Sequence, residues 1–202
     1  MSDTPPDHLS IDPDSEHFYA EALQRGVGQG PLTGSVAAVR PSTGEILSLA
    51  SSPSFNPNDL TSGDDASRSA AMEQLSSDPG QPLLNHATQV SLPPGSIMKV
   101  ITAAAALESG MTPDSPVSGA NNTLLPGTST YLENYAGSTC GGGTTTFMNA
   151  FALSCNVPFV ESAPTIGQEK FADVASRFGF DGNAPDIGMP ATGSGLGTVG
   201  DD

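Results

Sequence analysis

The chain has 202 residues, of which 22 are acidic and six are basic, and its formal net charge is −16. This length is sufficient for one or two domains with a buried core. Nucleic acids and anionic membrane surfaces are bound through basic surfaces, so the charge argues against both as partners. No run approaches the roughly 18 apolar residues of a membrane span, and we expect a soluble chain.

The first part of the chain predicts an acidic tail, a helix and a hairpin. Residues 1–16 are rich in Asp, Pro and Ser, lack the features of a signal peptide, and are predicted to be flexible. Residues 17–26 can form a short amphipathic helix that ends at a glycine. The β-permissive runs 34–40 and 45–51 are joined by Pro-Ser-Thr-Gly, which favours a turn, so an antiparallel hairpin is expected.

A candidate catalytic pair lies in the most apolar helix of the chain. A Pro-Pro-Gly turn leads into a run without helix breakers, which predicts a buried helix beginning near Ser96 and closed by Gly110. Residues three apart share one helix face, so Ser96 and Lys99 should point into the same space. A lysine kept neutral by burial can take the proton of a serine hydroxyl. The alternative is a helix-capping serine followed by a solvated lysine.

The remaining segments predict connections and one more helix. Residues 56–80 read as a surface connection with a short helix over 66–75, and residues 111–143 read as long loops that could line a substrate groove. Residues 168–178 predict a helix. The Gly-, Pro- and Ala-rich residues from 181 onward are predicted to be poorly ordered.

Two cysteines, Cys140 and Cys155, are the only ones in the chain. A disulfide between them would stabilise the fold by about 3 kcal/mol in the chain-entropy model, and an extracytoplasmic location would permit it. Two buried thiols are the alternative.

The histidines, His8, His17 and His86, are scattered and are predicted to be structural or solvated. No spacing typical of a metal site or a phosphate-binding loop occurs, so no cofactor is expected.

A second motif, Ser154-Cys155-Asn156, follows an apolar-rich segment. Alone, Ser-x-Asn is compatible with an ordinary helix junction. After a Ser-x-x-Lys, however, it matches the second of three motifs shared by penicillin-binding proteins and class A β-lactamases, of which the third is Lys-Thr-Gly.

The match to penicillin-binding proteins includes longer segments around and between the two motifs. These are residues 34–58, 84–99, 132–135 and 153–156. With them the chain resembles the transpeptidase domain of class B penicillin-binding proteins, most closely the actinobacterial penicillin-binding protein A type. The resemblance implies an α+β fold of the serine β-lactamase-like type, in which an antiparallel sheet packs with a helical subdomain. It assigns residues 17–202 to the amino-terminal part of this domain.

The departures from the family pattern are also informative. Ile97-Met98 replaces the usual Thr-Phe, at positions expected to face the core, and His86 replaces an arginine. Pro164 should break the helix after the second motif. Lys-Thr-Gly is absent from the sequence. We therefore expect a carboxy-terminally truncated fragment, incomplete in its sheet, poorly stable and inactive alone.

The resemblance implies covalent acyl transfer without a cofactor. Ser96 would attack a D-Ala-D-Ala stem peptide or a β-lactam, and Lys99 would take its proton. Ser154 would relay a proton to the leaving amine, while Asn156 would bind the substrate amide and orient the lysine. The implied partners are peptidoglycan stem peptides, β-lactams and proteins of cell wall synthesis or cell division. The implied location is the extracytoplasmic face of the plasma membrane, through an anchor outside this chain.

Two other functions remain open from the sequence. A D,D-carboxypeptidase or a β-lactamase-like acylase would share both motifs, although no Glu-x-x-Leu-Asn-like deacylation motif follows Asn156. A non-catalytic remnant or peptidoglycan-binding module is favoured by the missing Lys-Thr-Gly.

Overall fold

The computed structural model describes residues 13–27, 32–61 and 63–197, which form two compact units. Unit 1 comprises the described residues up to Ser91 together with Ala184–Gly193. Unit 2 comprises Leu92–Asn183 and the described residues from Ser194. Short helices alternate with antiparallel strand pairs, so the predicted α+β class is confirmed. No helix among the described residues is long and apolar enough to cross a membrane.

Unit 1 contains the predicted hairpin. Strand β1 (Gly34–Val39) pairs with strand β2 (Ile46–Ser52) in an antiparallel register that shifts at Ala38/Val39. The turn closes through a 2.8 Å hydrogen bond from the Gly44 amide to the Arg40 carbonyl, and Gly44 has a φ of 80° that favours glycine. The hairpin prediction is confirmed.

The first helix begins earlier than the sequence indicated. Helix α1 spans Pro13–Val27, so residues 13–16 are helical and do not belong to a flexible tail. A proline at the start and acidic residues in the first turn favour this boundary. The Glu16 carboxylate accepts a 2.9 Å hydrogen bond from the Leu49 amide, which ties α1 to β2. Residues 1–12, with His8, lie outside the described residues.

The rest of unit 1 is helical or irregular. Helix α2 (Asp65–Ser77) confirms the short helix predicted at 66–75, and helix α3 (His86–Gln89) begins at buried His86, whose Nε2 lies 3.1 Å from the Gln81 carbonyl. Contrary to the expectation of poor order, the irregular segment at residues 190–192 is attached to α3 by hydrogen bonds. The Thr192 amide donates to the Thr88 carbonyl at 2.8 Å, because loop backbone without ladder partners still needs acceptors.

Unit 2 is built around helix α4 (Met98–Glu108). Its buried face, formed by Ile101, Ala105 and Ala106, packs in one core with helix α8 (Gln168–Arg177), which confirms the helix predicted there. The other core members are Phe147, Phe159, Ile166, Val174 and Ala175. Gly110 ends α4 as predicted: its amide bonds the Leu107 carbonyl, and the next amide bonds the Ala106 carbonyl.

The segment predicted to be loops between α4 and the second motif contains short strands. Strand β3 (Pro116–Ser118) pairs with β6 (Thr144–Thr146), and β4 (Asn122–Leu124) pairs with β5 (Tyr131–Glu133). Strands of three residues are too short to show an alternating pattern, which is why the sequence did not reveal them.

Three short helices follow the strands of unit 2. They are α5 (Phe147–Ala152), α6 (Val157–Glu161) and α7 (Ala163–Ile166). Pro164 lies in the first turn of α7, so the helix after the second motif is broken there, as predicted.

Candidate active site

Ser96 does not begin the α-helix, as the sequence suggested, but lies in a 3-10 turn (Gly95–Ile97) just before α4. Gly95 enters this turn with a φ of 55°, a conformation that glycine adopts easily. Ile97 was expected to face the core but is 76% exposed, whereas Met98 packs against the core. The tighter turn rotates residue 97 away from the buried face of α4.

Four oxygen atoms surround the Lys99 amine. Its Nζ lies 2.6 Å from the Ser154 carbonyl oxygen and 2.7 Å from Asn156 Oδ1. The hydroxyl oxygens of Ser96 and Ser154 are each 3.2 Å away. The structure thus brings together the four residues that the two motifs singled out.

Burial lowers the pKa of Lys99 below its ordinary value, which favours the neutral amine. A neutral amine has two hydrogens and one lone pair. The Ser154 carbonyl and Asn156 Oδ1 can only accept, and they are the two closest oxygens, so they take the two hydrogens. The lone pair is then left for a serine hydroxyl, which is the arrangement that a general base requires.

Ser154 owes its position to an unusual helix ending. It follows α5 with a φ of 56°, in the left-handed region where glycine is the usual residue. Its amide bonds the Phe151 carbonyl at 3.0 Å, and the Cys155 amide bonds the Ala150 carbonyl at 3.0 Å. Because of this turn, both the carbonyl and the hydroxyl of Ser154 reach Lys99.

Asn156 is held at both ends of its side chain. Its Nδ2 donates to the Glu133 carbonyl at 2.7 Å, which fixes the amide so that Oδ1 accepts from Lys99. Its backbone amide donates to Asn134 Oδ1 at 2.7 Å. Nδ2 carries a second hydrogen, which can donate to a substrate carbonyl.

The structure joins Cys140 and Cys155 in a disulfide with a Cα–Cα distance of 6.3 Å, and both residues are buried. Cys155 lies between Ser154 and Asn156. The bridge therefore connects the loop before β6 directly to the second motif.

The site opens into a cavity of about 440 Å³. Its walls include three residues to which the sequence had assigned no role, although they lie in the 132–135 segment that supported the resemblance: Glu133, Asn134 and Tyr135. Tyr135 is 89% exposed at the edge of this cavity. Only their membership of that segment could have drawn attention to them. The described residues contain no cluster of His, Cys, Asp or Glu that could hold a metal ion.

Residues 34–199 match the penicillin binding protein transpeptidase domain. This match includes both motifs and most of the chain, so the chain belongs to the family of penicillin-binding protein transpeptidase domains. The resemblance read from the motifs is confirmed.

Among related proteins, the peptidoglycan D,D-transpeptidase PbpA of Mycolicibacterium smegmatis is 42% identical over 191 residues, covering 94% of this chain and 39% of the relative. PbpA of Mycobacterium tuberculosis is 40% identical over 85% of this chain and 35% of its own length. This chain thus spans about two fifths of the length of these relatives.

Solved structures agree with this assignment. The penicillin G acyl-enzyme complex of penicillin-binding protein A from M. tuberculosis superposes with a TM-score of 0.88 at 38% identity, over 95% of this chain and 44% of that one. The imipenem acyl-enzyme complex of the same protein gives a TM-score of 0.87.

Proposed function

We propose that this chain is part of a peptidoglycan D,D-transpeptidase that forms a serine acyl-enzyme on Ser96. The single observation that carries this proposal is the Lys99 amine, whose pKa is lowered by burial and whose Nζ lies 3.2 Å from Ser96 Oγ. A lysine whose pKa is lowered can act more readily as the base that activates an adjacent serine hydroxyl. The relatives described as D,D-transpeptidases and the β-lactam acyl-enzyme complexes of penicillin-binding protein A support the same chemistry.

In the first half-reaction, Lys99 takes the hydroxyl proton while Ser96 Oγ attacks the carbonyl carbon of the penultimate D-Ala of a stem peptide. The C–N bond to the terminal D-Ala then breaks. The proton passes from the lysine through the Ser154 hydroxyl, 3.2 Å away, to the leaving amine. The peptide remains esterified to Ser96.

In the second half-reaction, the amine of a second stem peptide attacks this ester. Its proton returns through Ser154 and Lys99 to Ser96, and a new peptide bond cross-links the two peptides. A β-lactam follows only the first half-reaction, since opening of its ring leaves the amine attached to the acyl group. The partners we propose are stem peptides, β-lactams and other proteins of cell wall synthesis or division. The proposed location is the extracytoplasmic face of the membrane.

The test is labelling with a fluorescent penicillin, followed by intact mass, of residues 1–202 and of a form extended along the reading frame to the length of the relatives. We expect the extended form to gain the mass of one penicillin. Ser96→Ala should abolish labelling, and the matched variant Ser91→Ala, an exposed serine outside the motifs, should label like the wild type.

Labelling that survives Ser96→Ala would exclude Ser96 as the nucleophile. Absence of labelling in both forms would favour the non-catalytic binding module. If a labelled form releases D-Ala from a stem peptide but transfers the acyl group to water and not to an added amine acceptor, the chain belongs to a carboxypeptidase.

A further inference from the structure

A buried side chain next to the site is not part of either motif. Asn134 is 4% exposed and uses both ends of its amide. Its Nδ2 donates to the carbonyls of Ala120 and Ser138 at 2.8 and 2.9 Å. Its Oδ1 accepts from the amides of Asn156 and Val157 at 2.7 and 3.1 Å. Asn134 thus connects two loops to the start of α6.

The side chain of Asn156 does not cap helix α6. Asn156 is the residue at the amino-terminal end of α6, where an asparagine normally caps the helix with its own side chain. Here it makes no such capping bond, because Pro158 has no amide hydrogen and the Phe159 amide bonds the Asn156 carbonyl at 3.2 Å. Asn134 Oδ1 holds the main chain at this point by accepting from the amides of Asn156 and Val157. The Asn156 carboxamide is therefore available to bond Lys99 instead.

The neighbouring residue completes the arrangement. The Glu133 carbonyl accepts from Asn156 Nδ2 at 2.7 Å, while Asn134 holds the Asn156 backbone amide. Glu133, the last residue of β5, thus fixes the Asn156 side chain, and the next residue, Asn134, fixes its main chain. Both the position of Oδ1 and its identity as the acceptor follow from these two contacts.

We propose that Asn134 is a positioning residue for acyl transfer: it holds the Asn156 main chain at the start of α6 and thereby places the Asn156 carboxamide to orient the Lys99 amine. This role rests on the acyl-transfer function proposed above. Asn134 acts through Asn156, since its side chain bonds neither Ser96 nor Lys99. Its side-chain partners are Ala120, Ser138, Cys140, Asn156 and Val157.

The test is a double-mutant cycle on the rate of penicillin acylation in the form that labels. We expect Asn134→Ala and Asn156→Ala each to slow acylation by about 10- to 100-fold, the range for small misplacements of catalytic groups. If Asn134 acts through Asn156, the double variant should be no slower than Asn156→Ala alone. Losses that multiply in the double variant would overturn the proposal, as would a wild-type rate in Asn134→Ala.

The matched control is Ser162→Ala. Ser162 is also buried, lies at the other end of α6, and donates to the Phe159 carbonyl at 2.8 Å. Its loss should lower the melting temperature without changing the acylation rate more than about twofold, because it does not contact Asn156. If Ser162→Ala slows acylation as much as Asn134→Ala does, Asn134 is only structural.

A second variant covers the case in which Asn134→Ala does not fold. Asn134→Asp keeps an oxygen for the amides of Asn156 and Val157 but loses the donors to the loop carbonyls. We expect it to melt earlier than the wild type and to acylate within about tenfold of the wild-type rate, because the contact to Asn156 is kept. A folded Asn134→Asp that acylates as slowly as Asn156→Ala would contradict the positioning role.

A readout without turnover separates this inference from the proposed function. Residues 1–202 contain only two lysines, Lys99 and Lys170, so ¹³C-lysine labelling of residues 1–202 gives two side-chain signals, which Lys170→Arg assigns. Asn134→Ala and Asn156→Ala should displace the Lys99 titration curve in the same direction, and Ser162→Ala should not.

If wild type is never acylated but this pattern appears, the proposed function fails and the positioning of Lys99 stands. If wild type is acylated on Ser96 but Asn134→Ala leaves the Lys99 signal unchanged, the positioning role fails alone.

Discussion

Helices α4 and α5 end with the same backbone motif but with different residues at its left-handed position. Gly110 has a φ of 94° after α4, and Ser154 has a φ of 56° after α5. In both, the following amide bonds back across the last turn at 3.0 Å, from Met111 to Ala106 and from Cys155 to Ala150. The glycine adopts this conformation without strain, whereas the serine is held in it at a cost of about 1–2 kcal/mol.

The difference agrees with the role proposed for Ser154 in acyl transfer. After α4 the left-handed residue only has to end the helix, and Gly110 does so without strain. After α5 the residue presents a hydroxyl as well as a carbonyl to Lys99, and glycine could supply only the carbonyl. Backbone strain that the surrounding structure holds in place is a known feature of functional sites.

The largest effect is expected when Ser154, after α5, is replaced by the glycine that ends α4. Ser154→Gly should slow penicillin acylation by about 100-fold or more, because the proton relay is lost, and should raise the free energy of unfolding by about 1 kcal/mol, because the strain is relieved. Stopped-flow labelling and urea unfolding measure the two changes. Ser154→Ala is the control: it should lose the same activity without gaining stability. Equal stabilities of the glycine and alanine variants would show that residue 154 is not strained.

Removing the disulfide tests what holds the strained ending in place. Cys155 follows Ser154 and forms a disulfide with Cys140, whereas Met111, which follows Gly110, is not a cysteine and forms no such cross-link. The double variant Cys140→Ala/Cys155→Ala should lose about 3 kcal/mol of unfolding free energy for the 15-residue separation, and should also acylate more slowly. Unfolding in urea with and without reductant gives the stability. An unchanged acylation rate would show that the bridge stabilises the fold without supporting the site.

The reverse change at the first ending should affect stability alone. Gly110→Ala is expected to lower the free energy of unfolding by about 1–2 kcal/mol, since a Cβ there has open space around it and the cost is purely that of the left-handed backbone. Acylation should stay at the wild-type rate, because Gly110 is remote from the Lys99 amine. A loss of acylation comparable to that of Ser154→Gly would remove the distinction between the two endings.

The smallest expected effect is the pH dependence of stability that Lys99 contributes at the start of α4. Burial lowers the pKa of Lys99 in the folded state, so between that pKa and the ordinary value of 10.5 the unfolded chain binds more protons than the folded one. Stability should therefore rise with pH across this window, and Lys99→Met should remove that rise. The measurement is urea unfolding at a series of pH values. A rise that persists in Lys99→Met would have to come from another group.

Local patterns in the sequence were sufficient for several features. The Pro-Ser-Thr-Gly turn between two apolar runs predicted the β1–β2 hairpin, and Gly110 predicted the end of α4, because turns and caps depend on a few neighbouring residues. The three-residue spacing of Ser96 and Lys99 likewise placed both side chains on one side of the chain, even though Ser96 lies in a 3-10 turn rather than in the α-helix.

Where the sequence failed, the deciding contacts were distant along the chain. The extended start of α1 is tied down by Glu16 bonding the Leu49 amide. The irregular residues near Thr192 are held by hydrogen bonds to α3. A local pattern cannot show which loop finds acceptors on a distant element, so both segments were assigned too little structure.

The sequence by itself determined the family, the two motifs and the residues that carry them, since these depend on residue types at short fixed spacings. Only the tertiary structure decided how the motifs work together. It brought Lys99 within 2.7 Å of Asn156 Oδ1, 57 residues away, and it bonded the Asn156 amide to the side chain of Asn134, 22 residues earlier. The physical reason is that a buried polar group must find partners wherever packing places them, and packing joins segments without regard to their separation in the chain.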